Sequence, residues 1–271
     1  MSSPTVYFVT GANRGIGYGL VEALADRDNV LIFAGARDPT KADKLNALAE
    51  RQTGGKVVVV KLDVTSEEDA KNSAETVKQI SSKVDVLIAN AGIAIGNGAV
   101  HELNLDDLKT VIDVNVGGPL RIYKALYPLL LASANPRVIG VSSTLGSVAF
   151  NSDPAQVGPY RGGSYSVSKA ALNMLLARIQ ADHALESNDD HRNDDDDEKT
   201  KQDRRGKVTA FAVCPGHVQT DMGNEGARQF GMDAAPVKLE DSVRGLLTFI
   251  DDETGQYAGR FMSYDGVERQ W

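Results

Sequence analysis

Seven short runs rich in β-branched residues recur along the chain, each separated from the next by a longer stretch with helical character. The strand candidates are Val6–Thr10, Val30–Ala34, Val57–Lys61, Val84–Asn90, Arg137–Ser142, Lys207–Val213 and Arg260–Ser263. Between them lie amphipathic or Ala/Leu-rich segments, among them Gly17–Arg27, Ser66–Ser82, Leu105–Ala132, Ser168–Leu185 and Leu239–Ile250. Strand, helix, strand at this spacing predicts right-handed crossovers and a mostly parallel sheet with helices on both faces. The uninterrupted apolar runs Val57-Val58-Val59-Val60 and Val86-Leu87-Ile88 suit interior strands of such a sheet. No internal repeat is evident. With 271 residues, 42% of them apolar, one α/β domain of this length buries a full core without needing a second.

Charge and composition narrow the partners. A net charge of −8 repels nucleic acid and anionic membrane surfaces, so neither is expected as a partner. The longest apolar run, Ala125 to Ala134, contains Pro128 and falls short of the roughly 20 residues needed to span a bilayer. A strand-like segment begins near Val6, so no signal peptide is expected. The single cysteine, Cys214, allows no intrachain disulfide, fits a reducing compartment, and reads as a buried thiol at a strand end. A cytoplasmic location is the resulting expectation. The segment from Glu186 to Arg205 holds nine acidic and five basic residues. Nothing in it can pack, so it is expected to be a solvated, mobile loop. Asp189, His191 and Asp194 lie within it, but carboxylates without fixed geometry are more often simply solvated, and no metal site is expected. The loop leaves the sheet at the edge opposite the one where open α/β sheets bind ligands.

The first strand runs directly into Thr10-Gly11-Ala12-Asn13-Arg14-Gly15-Ile16-Gly17 and then a helix. Glycines at 11, 15 and 17 permit a tight turn, close approach of backbone to a pyrophosphate, and tight helix–strand packing. The helix N-terminus offers free N–H groups and the positive end of its dipole to phosphates. This turn, placed after the first strand of a βαβ unit, points to a dinucleotide.

The end of the second strand selects between NAD and NADP. An NAD site places a carboxylate some 20 residues past the glycines, on the ribose 2′-hydroxyl. Here the sequence reads Phe33-Ala34-Gly35-Ala36-Arg37-Asp38. Arg37 is placed to meet a 2′-phosphate, and Arg14 can close on it from the glycine turn, giving two charge-assisted contacts to a dianion. Asp38, beside Arg37, is the residue that argues the other way. NADP(H) is the expected cofactor.

Tyr165-Ser166-Val167-Ser168-Lys169 opens a helix, with Tyr165 and Lys169 at i and i+4 on one face. Tyrosine titrates near 10, too high for easy proton exchange at neutral pH. An ammonium one turn away stabilises phenolate, at about 1.4 kcal/mol per pKa unit, as general acid catalysis requires.

Further motifs accompany this pair: Asp63-Val64, Asn90-Ala91-Gly92, Asn115 with Pro119, Ser142-Ser143, and Pro215-Gly216 followed by Val218 and Thr220. In this order and at these intervals the chain resembles the short-chain dehydrogenase/reductase family from Thr5 to its last residue. The resemblance implies a single Rossmann-type doubly wound domain over residues 1–271. It also implies that Asn115, Ser143, Tyr165 and Lys169 form the catalytic group. Tyr165 then protonates the substrate oxygen, Ser143 hydrogen-bonds that oxygen, and Lys169 also holds the nicotinamide ribose. Asn115 positions a water leading to Lys169. For the cofactor it implies Gly11, Asn13, Arg14, Gly15, Ile16 and Gly17 at the phosphates and Asp63 and Val64 at adenine. Asn90, Ala91 and Gly92 steady the central sheet, while Pro215, Gly216, Val218 and Thr220 border the nicotinamide.

The gap of 22 residues between Ser143 and Tyr165 is longer than the family pattern, and Ser142 is the alternative serine. Ser143 is preferred because the family generally uses the second of the pair. Tyr160 lacks a lysine at i+4 and is assigned to substrate or surface. The stretch from Pro215 to Arg228, the Asp265-Gly266 turn and Trp271 resemble fungal ketoreductases of the norsolorinic acid ketoreductase type and related carbonyl reductases. His217 is then either a substrate contact or a loop histidine satisfied by backbone. The expected substrate wall is Leu145–Gly163 and Asp221–Pro236, where Phe150, Tyr160, Met222 and Phe230 suit a hydrophobic, small-molecule carbonyl compound. The family also implies a homodimer or homotetramer. The rival reading is a non-catalytic dinucleotide-sensing scaffold, though neither the tyrosine, the lysine nor the glycines are damaged.

Overall fold

A computed structural model describes residues 3–96, 98–158, 162–189, 208–229 and 231–271. Its elements run β1 (Thr5–Thr10), α1 (Gly15–Ala25), β2 (Val30–Ala36), α2 (Asp43–Arg51), β3 (Val57–Lys61), α3 (Glu67–Ile80), β4 (Val86–Ala89), α4 (Leu105–Ile112), α5 (Gly118–Leu131) and β5 (Arg137–Val141). They continue with α6 (Val148–Asn151), α7 (Pro154–Val157), α8 (Gly163–Asp189), β6 (Thr209–Cys214), α9 (Asp221–Gln229), α10 (Leu239–Ile250) and β7 (Phe261–Ser263). The seven strands form one sheet in the order β3-β2-β1-β4-β5-β6-β7. Every pairing is parallel, so the sheet is wholly rather than mostly parallel.

Side chains alternate across the strands, and the core divides accordingly. In β1, Tyr7 and Val9 join Leu20 and Leu24 of α1, Leu45 of α2 and Leu246 of α10 on one face. Val6 and Phe8 join Val77 of α3, Leu126 of α5 and Leu172 and Leu176 of α8 on the other. Strand order reverses between β1 and β4. Their carboxyl ends diverge there into opposite crossovers and open the crevice in which such sheets bind ligands.

Three local differences from the sequence pattern bear on the site. Leu105–Ala132 is not one helix: a π-helical turn over Asp113–Gly117 separates α4 from α5. Pro119 brings no N–H to the carbonyl of Asn115 four residues earlier, and Gly118 N–H bonds instead to Asp113 O. The segment between Leu145 and Gly163 carries α6 and α7 rather than plain loop. Ser147 Oγ caps Phe150 N–H at 3.0 Å and Asp153 Oδ1 caps Ala155 N–H at 2.9 Å, with Pro154 opening the second turn. Helix α8 continues through Asp189, four residues into the segment expected to be a loop, because extending a formed helix requires little beyond compatible backbone. The remainder of that acidic segment, with His191 and Asp194, lies outside the described residues.

Candidate active site

The glycine turn is shaped by what it excludes. Gly11 and Gly15 hold positive φ angles of 64° and 53°, a region that side chains disfavour. A Cβ on Gly17 would fall 2.2 Å from Gly11 O and 2.5 Å from Asn90 Nδ2, so only hydrogen fits where α1 meets the turn. Asn90 Nδ2 donates to Thr10 O (2.9 Å) and Gly11 O (3.2 Å). Thr10 Oγ1 accepts from the N–H groups of Asn90 (3.0 Å) and Ala91 (2.9 Å). The Asn-Ala-Gly segment thus braces the turn across the β1–β4 crevice. Asn13 and Ile16 are half-buried beside it and Arg14 is exposed. Helix α1 begins with neither an acidic residue nor a side-chain cap, which leaves its first N–H groups available to an anion. This cradle fits a dinucleotide pyrophosphate.

At the end of β2, Arg37 is exposed. Asp38 is occupied: its carboxylate accepts from Thr40 N–H (3.1 Å) and Thr40 Oγ1 (2.6 Å) and pairs with Lys41 Nζ at 3.1 Å. These bonds hold it below the usual carboxylate range. Asp63 accepts from Thr65 N–H and Oγ1 at 2.9 and 2.7 Å. Burial would raise its pKa, but the Thr65 bonds and the charge of Arg37 bring it below the ordinary value. Arg37 and Asp63 therefore share one corner. Val64 is buried against Gly118, where a Cβ would come within 2.9 Å of it. Arg14 faces Asp221, at the start of α9, at 3.8 Å across a well-exposed gap. Asp69, which the sequence pattern does not single out, accepts the N–H of Asp63 (2.9 Å) and pairs with Lys61 (3.2 Å).

The catalytic candidates meet at the carboxyl ends of β4 and β5. Lys169 Nζ lies 5.5 Å from the centroid of the Tyr165 ring and donates to Val141 O at 2.8 Å. Burial lowers the pKa of this ammonium to about 8. A Cβ on Gly92 would meet Asn115 Oδ1 at 3.2 Å and Lys169 Nζ at 3.5 Å, so these three residues adjoin. Asn115 is fully buried on the π-helical turn. It accepts from Ile93 N–H (2.8 Å) and donates to Ile93 O and Ser168 Oγ, both at 2.9 Å. Both of its amide hydrogens are therefore committed. Ser168, also missed from sequence, donates onward to Tyr165 O at 2.7 Å. The two serines differ sharply. Ser142 is buried and donates to Asn173 Oδ1 at 2.5 Å, while Ser143 is half-buried and its Oγ accepts from Leu145 N–H at 3.2 Å.

The remaining rim is formed by the end of β6 and the segment leading into α9. Pro215 O accepts from Ser242 Oγ at 2.7 Å. Gly216 has φ 81°, and a Cβ there would strike the Tyr264 ring at 2.6 Å. Val218 is buried and bridges Val237. Thr220 lies against the glycine turn, its Cγ2 3.3 Å from where a Gly15 Cβ would be. His217 Nε2 is 2.7 Å from Gly223 O, which matches the backbone-satisfied alternative. Cys214 is buried at the end of β6, its Sγ 3.2 Å from both Thr144 N and Thr144 Oγ1. Of the expected substrate wall, Phe150 is half-buried and Met222 exposed. Tyr160 and Phe230 lie outside the described residues. Among the described residues no cluster of acids, histidines and cysteine forms a metal site, and no helix is long and apolar enough to cross a membrane.

Comparison with known proteins shows which family the chain is similar to. Residues 5–187 match the family described as short chain dehydrogenase. Short chain dehydrogenase gsfK of Penicillium aethiopicum is 31% identical, across 99% of this chain and 100% of its own length. Norsolorinic acid ketoreductase of Aspergillus parasiticus is 31% identical, across 98% of this chain and 91% of its own. Among solved structures, NADPH-bound carbonyl reductase from chicken fatty liver aligns over 100% of both chains with a TM-score of 0.79 and 29% identity.

Proposed function

The chain belongs to the short-chain dehydrogenase family, as an oxidoreductase of the carbonyl reductase type, and from that premise we propose that it reduces a hydrophobic ketone or aldehyde to an alcohol with NADPH. The observation that carries this reading is the buried Lys169 ammonium beside the Tyr165 ring, with Asn115 and Gly92 packed around it. NADPH, rather than NADH, is favoured because Asp38, the carboxylate placed to accept from a ribose 2′-hydroxyl, is tied to Thr40 and Lys41 while Arg37 stands exposed beside it.

When bound, the cofactor supplies a hydride to the carbonyl carbon. Gly11, Asn13, Arg14, Gly15, Ile16 and Gly17 would hold its phosphates, and Arg37, Asp63 and Val64 its adenosine end. Asn90, Ala91 and Gly92 brace that cradle. Pro215, Gly216, Val218 and Thr220 would border the nicotinamide. Tyr165 gives its phenolic proton to the substrate oxygen as negative charge develops there. The charge of Lys169 stabilises the phenolate left behind. Ser143 Oγ already accepts from Leu145 N–H, which leaves its own hydrogen to donate to the substrate oxygen. Since both amide hydrogens of Asn115 are committed, its main-chain carbonyl, opposite the N–H that Pro119 lacks, is the group that orients a water toward Lys169 for reprotonation of Tyr165.

Exposed Ile95, Val148 and Met222, on segments flanking the catalytic end, support an apolar substrate. Exposed Leu120 on α5 and Val167 and Met174 on α8 are where a homodimer or homotetramer would form. The test is NADPH oxidation against aromatic ketones, quinones and aldehydes, with NADH in parallel and Tyr165→Phe as control. Turnover with at least one carbonyl, reduced by about three orders of magnitude in Tyr165→Phe, is expected. Turnover that survives the substitution sinks the mechanism, and none with any carbonyl favours a dinucleotide-sensing scaffold instead.

A further inference from the structure

We propose that Asn173 is a positioning residue that fixes Ser143 relative to Tyr165. The inference rests on the reading that Ser143 donates to the substrate oxygen. Tyr165, Lys169 and Asn173 stand at i, i+4 and i+8 of α8, a single stripe that drifts by about 40° per step. Asn173 and Ser142 are both buried, at 3% and 2% exposure. Ser142 Oγ donates to Asn173 Oδ1 at 2.5 Å, and Asn173 Nδ2 donates to Gly146 O at 3.2 Å. One amide thereby ties both ends of the segment 142–146 to the helix that carries the tyrosine. Chemistry fixes the orientation of that amide. Gly146 O can only accept, so the nitrogen must face it and the oxygen must face the Ser142 hydroxyl.

The segment has little freedom elsewhere. A Cβ on Gly146 would lie 2.7 Å from Lys169 C and 2.8 Å from Lys169 Cβ, so this turn rests directly on the backbone of α8. Thr144 N–H is held by Cys214 Sγ. Ser143, between these anchors, is half-buried, and its Oγ takes part in this segment as an acceptor, from Leu145 N–H. With the proton of Ser142 committed to Asn173, Ser142 acts as a link and not as the donor to substrate. Misplacing a reacting group by 1 Å costs on the order of a hundredfold in rate, so one buried amide has leverage well beyond its own hydrogen bonds.

The experiment is a double-mutant cycle on the full chain with NADPH and a turned-over carbonyl substrate, reading kcat together with the Kd for NADPH. Ser143→Ala is expected to lower kcat about a hundredfold. Asn173→Ala is expected to lower it about tenfold or more, with the Kd for NADPH changed by less than about twofold. The double variant is expected to be no slower than Ser143→Ala alone, because once the serine hydroxyl is gone Asn173 has nothing left to position. Additive losses, as a general weakening of the fold would give, overturn the proposal, as does an unchanged kcat in Asn173→Ala. Ser142→Ala removes the same link from its other end, is expected to show the same non-additivity, and replaces Asn173→Ala should that variant not fold. Normal turnover in Ser143→Ala would instead overturn the assignment of the serine on which the inference rests.

Discussion

Folding takes the Lys169 ammonium out of water and sets it against Val141 O and the Tyr165 ring. Its pKa consequently falls from 10.5 to about 8. Between those two values the folded chain binds fewer protons at this site than the unfolded chain, so its contribution to stability increases as pH rises through that window. For activity the sign is reversed, since the charged form is present below about 8 and is lost as pH rises through it. The rate constant kcat/KM for NADPH is accordingly expected to hold level on the acid side and to decline above about pH 8, in a series of initial rates at limiting cofactor. A plateau reaching the ordinary lysine range, about 10, would show that burial does not govern this group. The pairing of Tyr165 with Lys169 was legible from helical spacing. The depressed pKa was not, because it comes from burial, and the strands that bury Lys169 are brought against α8 only by the tertiary fold. Spacing likewise leaves Ser142 and Ser143 both open, and the proposal that Ser143 is the donor draws on the buried Ser142–Asn173 bond, which no spacing reveals.

Helix α1 can approach the glycine turn only while position 17 lacks a Cβ. Gly17→Ala drives a methyl group into the Gly11 carbonyl and the Asn90 amide, and overpacking of this kind costs about 1–3 kcal/mol or more. The expected result is a lower Tm together with loss of NADPH binding, measured by thermal unfolding and by cofactor fluorescence titration. Retained affinity would mean that the turn tolerates a shift of the helix. This cradle was readable in sequence because glycine spacing and a preceding strand are local signals. The break between α4 and α5 was not, since apolar periodicity continues through it. Its cue was Pro119, whose missing N–H can be noticed in sequence, but the bonds between Asn115 and Ile93 that occupy the break cannot. The short helices α6 and α7 had legible cues too, in Ser147 and in Asp153-Pro154.

Alternation of strands and helices announced a parallel sheet, yet periodicity carries no information on which strands are neighbours, and the order with its reversal at β1 and β4 had to come from packing. The proposed cofactor spans both halves of that sheet, from Arg37 past β2 to the rim beyond β6. A ligand that binds only the folded chain stabilises it by about 2.7 kcal/mol at a hundredfold excess over Kd. NADPH is therefore expected to raise Tm more than NADH at equal concentration, and Arg37→Ala to bring the two shifts together. A larger shift with NADH would reverse the cofactor assignment. The bonds from Asn90 back to Thr10 and Gly11 span about 80 residues of chain. A loop of that length closes late and slowly, since its entropy must be overcome before the contact forms. The glycine turn is thus composed in the first βαβ unit but receives its brace only when β4 docks beside β1, so cofactor affinity matures with the central sheet, and a nascent chain that has emerged only as far as β3 carries the motif without the site.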